Sequence, residues 1–132
     1  GDEVIVPNFT FIASANAVLM ANATPVFVDI EPEGLQLDIK KCEKVITKKT
    51  KAIMPVHIFG AACDMTQVVE FADKFDLQII EDAAQAMGVF WQEKHCGSFG
   101  DVGCFSFFAD KTITTIEGGF VGTNIQEKAT NL

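Results

Sequence analysis

Lys111 stands alone where an apolar run breaks. Residues 103–119 read GCFSFFADKTITTIEGG: aromatic residues around one hydroxyl, Ser106, then the lysine, three threonines, a carboxylate and two glycines. From position alone the ordinary reading is a solvated loop lysine. The sharper reading is an amine nucleophile able to form an imine with an aldehyde. Asp82 closes the run LQIIED and poses the same choice. It either caps the next turn or faces a cationic group of a ligand. The alanines of EDAAQA let something flat approach, and Gln85 offers an amide to a polar edge.

Other chemistry-bearing residues carry less. His57 ends KAIMPVH and reads as a strand-end histidine with its hydrogen bonds satisfied rather than as a ligand. His95 and Cys96 are adjacent, an unfavourable spacing for one metal centre, and no second pair stands at zinc spacing, so no metal site is expected. Asp29, after PVFV, resembles a ribose-binding acid, but no G-x-G-x-x-G precedes it. Phe99, Phe105, Phe107 and Phe108 read most simply as core.

These residues sit at the ends of recognisable elements. EVIVP reads as a strand stopped by Pro7, and the Ala-rich run from Asn8 reads as a helix with Asn8 and Thr10 as caps. TPVFVDI reads as a second strand, too apolar for an exposed sheet face. A helix is expected near residues 39–46, and a third strand over 51–60. In DMTQVVEFADKFD, Met65, Val68, Val69, Ala72 and Phe75 form a helical stripe behind Asp64 as N-cap. LQIIEDAAQA reads as a fourth strand, residues 88–101 as a hairpin, VGCFSFFA as a fifth strand and GGFVGTN as a sixth. Apolar strands separated by helices indicate a mostly parallel α/β sheet with helices on its faces. Ligands of such sheets sit off the carboxyl ends of the strands. Asp29, His57, Asp82 and Lys111 all fall near such ends.

VPNFTFIASANAV, ATPVFVDI, TKAIMPVHIFG, IIEDAAQAMG, GSFGDVGCFSFFADKTITT and EGG follow in one order over nearly the whole chain. In these blocks the sequence resembles the DegT/DnrJ/EryC1/StrS aminotransferases, and within them the perosamine-synthase-like sugar 4-aminotransferases. The resemblance implies a three-layer α/β/α fold, part of the large domain of a fold type I transferase that uses pyridoxal 5′-phosphate. It implies that Lys111 carries the cofactor covalently and that Asp82 faces its ring nitrogen. Gln85 would lie near its phenolic oxygen, Ser106 at its phosphate and Phe11 on the ring face. It also implies transfer of an amino group from glutamate to a nucleotide-linked keto-sugar, for polysaccharide or antibiotic sugars, by a homodimer. A dehydratase of the same family is a second reading, but those enzymes typically carry histidine in place of the lysine. Ile116 stands where the family usually has glycine. A β-branched residue resists positive φ there, so the loop after Lys111 is expected to be strained or re-routed.

The whole composition agrees. The 132 residues are 48% hydrophobic, enough for a core, and the formal charge of −8 argues against nucleic acid or an anionic membrane as main partner. The four cysteines, Cys42, Cys63, Cys96 and Cys104, form no Cys-x-x-Cys pair, so reduced thiols in the cytoplasm are expected. Residues 1–132 are expected to be a partial cofactor-binding domain. The upstream phosphate-binding segment and the C-terminal small domain of the family would lie outside it, leaving the piece alone inactive or nearly so. A decayed fragment serving at most as an interaction module is the third reading.

Overall fold

The computed structural model describes residues 1–130. Eight strands and four helices follow in the order β1 (Glu3–Pro7), α1 (Ile12–Met20), β2 (Thr24–Val28), α2 (Ile39–Cys42), β3 (Thr50–Ile53), α3 (Met65–Phe75), β4 (Gln78–Asp82), β5 (Phe90–Trp91), β6 (Lys94–His95), β7 (Val102–Ser106), β8 (Gly119–Gly122) and α4 (Gln126–Ala129). Six strands form one sheet in the order β2-β1-β3-β4-β7-β8. The first five run parallel and β8 pairs antiparallel with β7. β5 and β6 make the expected hairpin.

The layers follow from the crossovers. The chain leaves β1 toward β2 on one side, then returns to place β3 on the other side of β1. Right-handed crossovers in opposite directions put their helices on opposite faces. Accordingly Val18 of α1 packs with Val4, Val6, Ala52 and Met54 on one face. On the other, Met65, Val68, Phe71 and Ala72 of α3 pack with Ile5, Ile53 and Ile79. This is the three-layer α/β/α arrangement anticipated from the strand and helix pattern.

Element boundaries differ from the sequence expectation for identifiable reasons. The third strand ends at Ile53, because Pro55 has no N–H for the ladder; beyond it Val56 makes only an isolated bridge to Asp82. The fourth strand ends at Asp82, where the Ala83 N–H turns to the Cys104 carbonyl at 2.8 Å. α1 begins only at Ile12, with Phe11 at its N-cap and no side-chain cap. Asn8 and Thr10 do not cap it: their side chains bond Asp29 and Ser14 instead. Asp64 does cap α3, accepting from the Gln67 N–H at 3.1 Å. The helix near residues 39–46 is a single α turn followed by a 3₁₀ turn over Glu43–Val45. β2 is an edge strand and leaves Phe27 55% exposed, so its apolar character does not mark burial. The terminal stretch forms the short α4, and residues 131–132 lie outside the described range.

Candidate active site

β1, β3, β4 and β7 are central, adjacent and parallel, and the segments leaving their carboxyl ends enclose a cavity of about 490 Å³. Ligand sites commonly fall in this size range and at this place in an open α/β sheet. Phe11 comes from beyond β1, and His57 from beyond β3. Asp82 ends β4 and Gln85 lies in the turn beyond it, while Ser106 and Lys111 come from β7 and its loop. Phe11, Asp82, Gln85, Ser106 and Lys111, singled out from separate stretches of sequence, thus line one cavity.

The Asp82 backbone is tied at both its N–H and its carbonyl to the segment leaving β3. Its N–H donates to the Pro55 carbonyl at 2.9 Å and its carbonyl accepts from the His57 N–H at 3.1 Å. Its carboxylate is oriented at both oxygens: Oδ1 accepts from the Ala84 N–H at 3.1 Å and Oδ2 from the Ser14 hydroxyl at 2.7 Å. Cys104 lies beside it in register on β7, and burial and then the Asp82 charge push that thiol up. Burial likewise pushes Cys42 and Cys63 to about 12 and Cys96 to about 11, so all four cysteines are free thiols and weak nucleophiles.

The polar groups have their donors disposed for a ligand. Gln85 Oε1 accepts from the Phe59 N–H at 2.6 Å. That bond assigns the amide orientation and leaves the NH₂ group as the free donor. Ser106 Oγ accepts from the Phe108 N–H at 3.2 Å, so its own proton remains to be donated. Lys111 is 18% exposed at its side chain and pairs with Asp110 at 3.2 Å. Phe11 is 70% exposed and presents an open ring at the cavity wall. An acid, an amide donor, a hydroxyl donor, an amine and an aromatic face in one cavity suit a flat ligand with a cationic edge and anionic substituents.

His57 is fully buried and accepts from the Cys63 N–H through Nδ1 at 3.1 Å. Nε2 therefore carries the proton and donates to Glu81 Oε2 at 3.2 Å. This matches the satisfied strand-end histidine. Asp29 stays near the strand ends, bonded to Asn8 and Lys41, outside the cavity lining. Ser14 and Glu81 were not among the residues the sequence pointed to, and Thr10 was expected only as a helix cap. Ser14 had a signal: it shares a helix face with the buried Val18, and a hydroxyl on a buried face needs a partner. Glu81 likewise sits in the buried phase of β4 with Ile79.

Fold and cavity together define the large-domain architecture of a fold type I aminotransferase. The chain belongs to the DegT/DnrJ/EryC1/StrS aminotransferase family, whose profile matches residues 1–132. It is 52% identical over 132 residues to a GDP-perosamine synthase of Caulobacter vibrioides, covering 100% of this chain and 36% of the relative. It is 51% identical over 124 residues to a UDP-N-acetyl-3-dehydro-alpha-D-glucosamine 3-aminotransferase of Acidithiobacillus ferrooxidans, covering 93% of this chain and 34% of that protein. The solved structure of DesV from S. venezuelae, in complex with a ketimine intermediate, superposes with a TM-score of 0.94 at 42% identity over 98% of this chain and 35% of its own. A GDP-4-keto-6-deoxy-D-mannose-3-dehydratase of E. coli with bound hydrated PLP is also similar, with a TM-score of 0.90 and 31% identity over 96% of this chain and 33% of its own. The chain thus spans about a third of the length of the relatives it matches. Among the described residues no helix is long and apolar enough to cross a membrane.

Proposed function

We propose that the whole protein is a cytoplasmic, homodimeric aminotransferase that uses pyridoxal 5′-phosphate to move an amino group from glutamate to a nucleotide-linked keto-sugar. Residues 1–132 are read as part of its cofactor-binding large domain. The observation that carries this reading is the meeting of Lys111 and Asp82, with Phe11, Gln85 and Ser106, on one cavity. The donor set fits the cofactor group by group. Asp82 would accept from the ring N–H and keep the ring protonated. The free NH₂ of Gln85 would donate to the phenolic oxygen, and the Ser106 hydroxyl to a phosphate oxygen. Phe11 would cover one face of the ring, worth about 0.5–1.5 kcal/mol beyond the area it buries.

When bound, the cofactor supplies an electron sink for the carbanion left at the donor's α-carbon. Lys111 would hold the cofactor through its amine. Once free, that amine would take the proton from the donor's α-carbon as general base and return it at C4′ as general acid. The same amine serves the keto-sugar in the reverse direction. The dehydratase reading is disfavoured because Lys111 is present where those enzymes typically carry histidine.

The test is the visible absorbance of the whole protein loaded with pyridoxal 5′-phosphate, before and after glutamate. Wild type is expected to change spectrum on adding glutamate. Lys111→Ala is expected to lose that change, or to make it at least roughly a hundredfold more slowly. An unaltered response in the variant removes Lys111 from this role.

A further inference from the structure

We propose that Thr10 and Ser14 form a hydroxyl relay that aims the Asp82 carboxylate into the cavity, making Ser14 a positioning residue for whatever Asp82 binds. The proposal rests on the reading of Asp82 as partner of the cofactor's ring nitrogen.

A serine inside a helix ordinarily turns its hydroxyl to water or back to a carbonyl of the preceding turn. Ser14 does neither. It is 3% exposed, in the first turn of α1, and its hydroxyl donates at 2.7 Å to Asp82, 68 residues further along the chain. The second contact fixes the direction of the relay. Ser14 Oγ lies 2.8 Å from Thr10 Oγ1. A hydroxyl has one proton, and an ionised carboxylate can only accept. The Ser14 proton is committed to Asp82, so Thr10 donates to Ser14. Hydrogen bonds in series polarise one another, which strengthens the final bond to the carboxylate.

The relay completes the orientation of a group that is otherwise held on one side. The Ala84 N–H fixes Oδ1 from Asp82's own turn. Ser14 fixes Oδ2 from a different layer, the helix packed across the sheet face. With both oxygens bonded, the carboxylate plane cannot swing about its terminal torsion, and the remaining lone pairs keep one direction. Thr10 also lines the cavity, so the relay joins the wall beyond β1 to the acid beyond β4. The first turn of a nine-residue helix adds a favourable field for the same negative charge.

The experiment compares wild type, S14A, S14T and T10V in the whole protein, with pyridoxal 5′-phosphate as the probe. Three quantities are read: the cofactor dissociation constant, the absorbance band of the bound cofactor, and the melting temperature of the cofactor-free protein. S14A is expected to weaken cofactor binding by about tenfold, the usual worth of a hydrogen bond to a charged group, and to shift the band. Its cofactor-free melting temperature should fall by only a few degrees, since one hydroxyl oxygen is lost and the remaining methyl keeps the packing of α1. S14T should restore affinity and band, and T10V should shift both in the S14A direction by a smaller amount. S14A with wild-type affinity and band overturns the relay. If the added methyl of S14T lowers the melting temperature, T10V decides: wild-type behaviour there also overturns it. Should wild type bind the cofactor while S14A is indistinguishable from it, only the relay fails. Should wild type take up no cofactor, the reading of the site fails and the relay with it.

Discussion

Ile116 holds φ at 71°, in the left-handed region that favours glycine and that a β-branched residue resists. The surroundings enforce this. Its N–H donates to Thr114 Oγ1 at 2.8 Å, while the Phe107 N–H donates to the Gly118 carbonyl at 2.9 Å and the Thr115 N–H to the Phe107 carbonyl at 3.0 Å. The loop after Lys111 is therefore laced to the segment before it, and Ile116 takes the strained conformation rather than a new path. At 74% exposure it recovers little by burial. Ile116→Gly is expected to stabilise the chain by about 1 kcal/mol, the left-handed penalty of an L-residue less part of glycine's entropy loss. A raised urea midpoint at unchanged slope would show it; a lowered midpoint would mean the isoleucine side chain makes a stabilising contact. At this scale the sequence was informative where a residue's role lies in its own motif. Phe11, Asp82, Gln85, Ser106 and Lys111 stand at strand ends or in the segments that leave them, and meet in one cavity. At Ser14 and Glu81 it marked a buried face and no role, because their partners lie 68 and 16 to 24 residues away.

Among the elements, β4 organises the site's walls through Glu81. This fully buried carboxylate accepts from His57 Nε2 and from the backbone N–H groups of Gly97 at 2.6 Å, Phe99 at 2.6 Å and Gly100 at 2.7 Å. It thereby ties the segment entering β7, the strand whose far end leads to Lys111, to the segment leaving β3, which carries His57. Burial pushes the Glu81 carboxyl up, but the His57 hydrogen bond and the Gly100 and Gly97 N–H groups outweigh it and hold the group below its ordinary value of 4.5. A carboxyl lowered on folding stabilises the fold above its unfolded pKa, and that contribution is lost as pH falls through the folded value. Stability should therefore be level with pH near neutrality and drop below about 4.5, with a shallower drop in Glu81→Gln. The variant itself should cost about 3 kcal/mol at neutral pH, as expected when one partner of a buried charged network is lost. Equal acid sensitivity of the two proteins would assign the pH dependence elsewhere. The sequence showed which elements exist because period and composition are local properties. It misplaced their ends where Pro55 interrupts a ladder, and where Thr10 bonds Ser14 instead of capping α1.

For the whole molecule, charge decides what these residues can hold. All ten cationic side chains are lysines, against eighteen carboxylates, and the chain has no arginine. Phosphate recognition favours guanidinium forks, clustered cations or helix N-termini. The cavity offers Lys111, already beside Asp110, with Asp82 as a second carboxylate on its wall. Such a site suits at most the one cofactor phosphate that the Ser106 hydroxyl approaches. It does not suit the added diphosphate of a nucleotide-linked sugar. Under the proposed function, the nucleotide must then be read by groups other than those of residues 1–132. The chain produced alone is expected to show no saturable binding of GDP or UDP tighter than about 1 mM by titration calorimetry, and no transamination. The whole protein should bind one of them in the micromolar range, with affinity falling as salt rises, because ion pairing with phosphate is screened. Micromolar, saturable nucleotide binding by the 132-residue chain would show that this carboxylate-rich cavity accepts a diphosphate after all, and would move substrate recognition onto the loops that carry Asp82 and Lys111.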